Sequence, residues 1–185
     1  ALQLIQNDVN RGTQVLENLL LLARLDPERT EQLPTQTINL NNLVQEALQA
    51  LQPFAEQKDI HWNLKLEDAV IEANPELIFS CIRNLVDNAI RYTPPQGQVE
   101  IRTVIEQHQI QLLIENSGEG IADEVLERLG ERFYRALGTR TQGSGLGLSI
   151  CQKIMALHAA KIDYAPSDLG GLKVSLSFEP VGKIS

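Results

Sequence analysis

One stretch of this chain is bounded on both sides by residues that fix where a helix can begin and end. Asn74-Pro75 precedes it and Pro94-Pro95 follows it; between them Leu77, Ile78, Cys81, Ile82, Leu85 and Ala89 recur at helical spacing. Asn caps a helix start, and Pro is accepted at the first helical position because its missing N–H has no partner there anyway. The predicted helix therefore runs over 75–92. Asn84, Asn88 and Arg91 lie at i, i+4 and i+7 and form one polar stripe along it. A helix interior disfavours Asn, whose side chain competes for backbone hydrogen bonds. Solvated Asn on an exposed face is one explanation. The other is chemical: an amide oxygen is a neutral, hard ligand suited to Mg²⁺, and Arg91 adds positive charge for phosphate.

The rest of the chain reads as alternating periods. Residues 37–40 have the look of a short edge strand, and Asn41 or Asn42 can cap a helix to residue 57 with Leu43, Ala47, Leu51 and Phe54 on one face. Residues 60–66 alternate at strand period, and 70–73 form another short strand. Strands are predicted over 98–106 and 109–115, a helix over 122–129, a loop over 130–143 and a helix over 146–158. Strands over 160–165 and 172–178 meet at Gly170-Gly171. The sum is an α+β fold: a two-layer α/β sandwich of a mixed, mostly antiparallel sheet on three helices. Ahead of it, residues 2–25 carry Ile5, Val9, Leu16, Leu19, Leu20 and Ala23 on one stripe, as on a long helix that packs against partner helices. The charged, proline-ended stretch 26–34 reads as a linker.

Composition narrows the function. Hydrophobic residues make up 43% of the 185, enough for a packed core. The net charge of −8 and pI near 4.9 argue against a nucleic-acid binder. Cys81 and Cys151 lack metal spacing and fall in helical patterns, which suits buried thiols in a reduced, cytosolic setting. No apolar run is long enough to span a bilayer. The start at Ala1, within a helical pattern, reads as a fragment.

Three glycine-bearing segments carry the remaining chemistry. Asn116, Gly118, Gly120 and Ile121 end a strand, where two glycines let backbone approach a flat ligand; an ordinary strand-to-helix turn would use the same residues. Gly143, Ser144, Gly145, Leu146, Gly147 and Leu148 precede a helix, so their N–H groups can converge on an anion. No Lys-Ser/Thr follows as in a Walker loop, and the third glycine is one residue early for a dinucleotide fingerprint. A flexible hinge would also account for these glycines. Between the two segments, Phe133 and Tyr134 sit with Arg135 and Arg140 in a loop that suits a lid with phosphate-screening charge.

These elements, in this order, resemble the catalytic and ATP-binding domain of bacterial sensor histidine kinases, a branch of the GHKL ATPases that includes gyrase and the ninety-kilodalton chaperones. The N box matches at residues 84–93, the first Gly box at 116–120, the F box at 131–135 and the second Gly box at 143–148. The likeness covers roughly 36–180. Residues 1–33 are similar to the second helix of the family's dimerisation and phosphoacceptor hairpin with its linker, and 34–185 to the catalytic domain. The resemblance implies ATP and Mg²⁺ as cofactors, with Asn88 ligating the metal. It implies that Asn84 and Arg91 help position the phosphates, and that Tyr92 stacks near adenine. Asn116, Gly118, Gly120 and Ile121 would line the base pocket. Phe133, Arg135, Arg140 and the segment from Gly143 through Ser144, Gly145, Leu146 and Gly147 to Leu148 would form the lid and phosphate loop. The γ-phosphoryl would pass to a histidine on the hairpin and then to a response regulator. The hairpin would make the full protein a homodimer, and segments upstream would attach it to the inner membrane, leaving this part cytoplasmic.

Two departures from the family pattern stand out. Asn116 occupies the position of an Asp that accepts from the adenine amine; an Asn that flips would discriminate less against guanine. None of His61, His108 and His158 fits the phosphoacceptor motif, so the acceptor is expected outside this chain. A hydrolysing ATPase or chaperone-like relative would carry Glu where Asn84 stands, to activate water. A nucleotide-binding regulator without transferase activity is a third reading, kept open by Asn116.

Overall fold

The computed structural model describes residues 33–129 and 147–181, together with Leu16 and Leu20. The elements are β1 (Gln36–Asn39), α1 (Leu40–Gln57), β2 (His61–Lys65), β3 (Val70–Ala73), α2 (Pro75–Tyr92), β4 (Gln98–Ile105), β5 (Ile110–Ser117), α3 (Asp123–Arg128), α4 (Gly147–Leu157), β6 (Lys161–Pro166) and β7 (Gly170–Phe178). Five strands form one sheet in the order β2-β4-β5-β7-β6. Only β2–β4 is parallel; the other pairs are antiparallel. The predicted α+β layer with a mixed, mostly antiparallel sheet is therefore the observed fold.

One helix face and one sheet face make the core. α2 packs between α1 and α4 and lies on β5 and β7. Ile78, Ile82, Leu85 and Ile90 of α2 meet Ile101 and Leu112 of the sheet, with Ile150, Ile154 and Met155 of α4, all essentially without solvent contact. Apolar burial of this kind is worth about 25 cal/mol per Å² removed from water. α1, α2 and α4 are the covering helices, as expected; α3 is a short fourth helix that buries no side chain.

α2 has the predicted ends. Asn74 Oδ1 accepts from Leu77 N at 3.1 Å, and Pro75 takes the first position. Three local expectations are corrected. β1 does not join an edge of the main sheet but pairs with β3 in a separate two-stranded sheet. The α1 cap is Asn39, not Asn41 or Asn42: its Oδ1 accepts from Asn41 N at 3.1 Å and from Ala69 N at 3.2 Å. The helix starts earlier because Leu40 is wholly buried and belongs to its first turn. Finally, the β6–β7 turn is made by residues 167–169, and Gly170-Gly171 already belong to β7. Leu16 and Leu20 are helical and exposed. No helix among the described residues is long and apolar enough to cross a membrane.

Candidate functional site

The polar stripe of α2 is not a solvated face. Asn84 is buried at 6% exposure, while Asn88 and Arg91 are half-buried. Asn84 faces the first residue of α4: a β-carbon built on Gly147 would stand 3.6 Å from Asn84 Oδ1. The first residue of the N box and the last glycine of the 143–148 segment therefore pack together. Arg91 Nε lies 3.0 Å from Asp87 Oδ2, one turn back along the helix. Sequence reasoning missed Asp87, although an Asp four residues before an Arg on a helix is a readable pair.

A second cluster forms at the end of β5. Asn116 is buried, and both ends of its carboxamide are committed to backbone. Oδ1 accepts from Leu172 N at 3.0 Å, and Nδ2 donates to Ser117 O at 2.9 Å. A flip would set oxygen against carbonyl oxygen and NH₂ against N–H, so each contact independently fixes the amide's orientation. The expectation of a freely flipping Asn116 is thereby corrected. Ser117 Oγ in turn accepts from Gln98 N at 2.8 Å, tying the turn to β4.

The hairpin strand β7 presses on this turn through two glycines that the sequence reading treated as no more than a bend. A β-carbon on Gly170 (φ +108°) would come within 2.5 Å of Gly118 O, and one on Gly171 within 2.5 Å of Asn116 O. Both positions exclude a side chain, and the signal was visible: an adjacent glycine pair opening a strand. Gly118 lies between this strand and α2, where its β-carbon would be 3.5 Å from Tyr92 O. Tyr92 itself is 39% exposed. Ile121 and Leu148 are half-buried, Leu148 against the core. Gly120 is exposed and meets nothing within 4 Å among the described residues. Phe133, Arg135, Arg140, Gly143, Ser144, Gly145 and Leu146 lie outside the described residues.

The histidines take no part in this cluster. His61 is an exposed β2 residue, and His108 lies exposed in the β4–β5 turn. His158 joins two helix ends: its Nδ1 donates to Ile154 O at 2.7 Å and its Nε2 accepts from Asn74 N at 3.1 Å. Burial lowers its pKa, and the carbonyl bond offsets only part of that.

No group of three His, Cys, Asp or Glu among the described residues could hold a metal. Mg²⁺ needs no such cage, since it takes one or two protein oxygens and completes its octahedron with phosphate and water. Asn88 offers an amide oxygen on α2. Beside it, Asp87 Oδ1 is buried without a hydrogen-bond partner among the described residues. This sparse, hard-oxygen donor set fits a magnesium ion that arrives with phosphates, and does not fit a resident zinc.

A mixed sheet covered by α1, α2 and α4, with buried carboxamides on α2 and at the end of β5, defines an ATPase-type nucleotide-binding domain of the α/β sandwich kind. Residues 73–181 match the family described as histidine kinase-, DNA gyrase B- and HSP90-like ATPase. The chain belongs to that family, as a sensor histidine kinase catalytic domain. It is 36% identical over 180 residues to sensor protein QseC of Salmonella typhimurium (strain LT2), covering 96% of this chain and 39% of that protein. Sensor protein kinase PmrB of Pseudomonas aeruginosa is 37% identical over 160 residues, covering 85% and 33%. The nucleotide-free catalytic domain of histidine kinase ThkA superposes with a TM-score of 0.72 at 29% identity, covering 80% of this chain and 96% of that one. The chain spans about two fifths of the length of the sensor protein QseC relatives it matches.

Proposed function

We propose that this chain binds Mg-ATP between α2, the end of β5 and the start of α4, and that it phosphorylates a histidine on a helical hairpin. The observation that carries the reading is the packing of Asn84 against Gly147, because it supports one site built from the N box and the second Gly box. Asn88 would hold Mg²⁺, which would neutralise phosphate charge. Arg91, oriented by Asp87, would meet the phosphates. Tyr92, Asn116 and Gly118 would take the base. The imidazole nitrogen of the acceptor attacks Pγ, the bond from Pγ to the β,γ-bridging oxygen breaks, and ADP leaves. Such a transfer needs mainly positioning and charge neutralisation. The hairpin would be built from residues 1–33 and a preceding helix, would pair two copies of the protein, and would hand the phosphoryl group to a response regulator.

Hydrolysis is the competing outcome. Position 84 would have to supply a base to activate water, and it holds a buried neutral amide instead. This favours transfer. Titration calorimetry with Mg-ATP on wild type and Asn88→Ala tests the site: wild type binds, and the variant folds but loses Mg-dependent binding. Normal Mg-ATP binding by Asn88→Ala removes the assignment. Labelling of an added hairpin domain from γ-labelled ATP separates transfer from multiple-turnover hydrolysis.

A further inference from the structure

The last turn of α2 ends in a way that leaves its carbonyls short of donors. The final carbonyls of a helix have no intrahelical partner and are commonly satisfied by the N–H groups of the next residues. Here those residues are Pro94 and Pro95, which have no N–H. Thr93 N closes back onto Ala89 O, and the Thr93 hydroxyl donates to the same carbonyl. The carbonyls of Ile90 and Arg91 are left for some other group.

Lys58 supplies it from the corner between α1 and β2. Its Nζ donates to Ile90 O at 2.9 Å, Arg91 O at 2.7 Å and Thr93 O at 3.0 Å. An ammonium has three donors, one for each of these carbonyls, and its charge sits at the negative end of the α2 dipole. The main chain of Lys58 is tied as well. Its N–H donates to Ala55 O, and its carbonyl accepts from Gln96 N at 2.6 Å. Asp59 and Gln96 flank this join in left-handed backbone, at φ 51° and 65°. The remaining carbonyl of the turn, that of Tyr92, faces Gly118. The turn bearing Arg91 and Tyr92 is therefore held between the α1 corner and the Asn116–Gly118 strand end.

We infer that Lys58 is a positioning residue for nucleotide binding: it replaces the backbone cap that Pro94-Pro95 cannot give and so sets where Arg91 and Tyr92 present their side chains. This inference rests on the Mg-ATP reading above. Nothing in the isolated sequence marks Lys58, because its three acceptors lie more than thirty residues away.

The test uses the whole chain with Mg-ATP in calorimetry. Lys58→Met keeps the aliphatic stem and removes the donors; it is expected to raise Kd about tenfold, in line with the cost of a small misplacement of binding groups. Val44→Ala, buried about four turns earlier on α1, controls for lost stability and is expected to bind within about twofold of wild type. In a Tyr92→Ala/Arg91→Ala background the Lys58→Met effect should shrink, since the groups it positions are gone. If Lys58→Met does not fold, Lys58→Arg decides: its planar fork cannot match three carbonyls as an ammonium does, and a Kd raised about threefold is expected. A Kd equal to wild type in Lys58→Met, or in Lys58→Arg where that variant is used, overturns the positioning role while leaving the Mg-ATP reading intact. Failure of wild type to bind Mg-ATP overturns both.

Discussion

Gly147, the first residue of α4, packs against the carboxamide of Asn84 on α2, with its missing β-carbon 3.6 Å from Asn84 Oδ1. That is ordinary van der Waals spacing, so a methyl group fits. Gly171, 2.5 Å from Asn116 O by the same measure, has no room. Gly147→Ala is expected to fold with unchanged stability or a gain of about 0.5 kcal/mol from reduced unfolded-state freedom. Gly171→Ala is expected to lose about 1–3 kcal/mol through forced backbone shifts. Urea unfolding of the two variants checks both; equal midpoints would contradict the packing at the β5 end.

Asn116 holds its turn through one accepted and one donated bond. Asn116→Asp replaces the donor that faces Ser117 O with an anionic oxygen. The expected cost at neutral pH is about 1–3 kcal/mol, the cost of an unsatisfied buried group. The same variant tests base recognition. Affinities for Mg-ATP and Mg-GTP are expected to shift relative to one another, and an unchanged ratio would take Asn116 out of the base pocket.

His158 makes stability depend on pH in a defined direction. Its folded pKa is lowered from the ordinary 6.5 because burial favours the neutral ring. The neutral ring accepts from Asn74 N through Nε2, and protonation destroys that acceptor. The unfolded chain thus takes up a proton at higher pH than the folded one. The contribution is full above about 6.5 and is lost as pH falls through the lowered folded value. Urea midpoints at pH 7.5 and 5.5 should show the loss in wild type and a smaller one in His158→Leu, which carries no ionisable group. An equal loss in both would assign the acid sensitivity elsewhere.

Cys81 and Cys151 are fully buried on facing helices, and Cys151 Sγ donates to Cys81 O at 3.4 Å. Burial, with the neighbouring Cys81, pushes the Cys151 thiol well above its usual range. Thiolate is the reactive form. A thiol reagent such as DTNB is expected to label neither cysteine in the native protein and both in denaturant. Rapid native labelling would mean that the α2–α4 interface opens readily.

Local chemistry made much of this fold legible. Asn74-Pro75 and Pro94-Pro95 set both ends of α2 because capping and the missing proline N–H act within a few residues. Alternation marked β4 and β5 for the same reason, since side-chain period is a property of the strand itself. The cap of α1 was misplaced by a few residues because Asn39, Asn41 and Asn42 are equivalent on local grounds; the burial of Leu40 decides between them.

The sequence by itself determined the class of elements, their order and the residue types gathered in the 84–93 and 116–120 segments. The tertiary structure decided which of these meet. It buried Asn84 under Gly147, locked the Asn116 amide between Ser117 and Leu172, gave Gly170-Gly171 their steric reason, and brought Lys58 to the end of α2. Apart from the bond to the neighbouring Ser117, each of these is a contact between residues far apart in the chain. Such contacts depend on strand register and helix packing, and no local period or propensity encodes them.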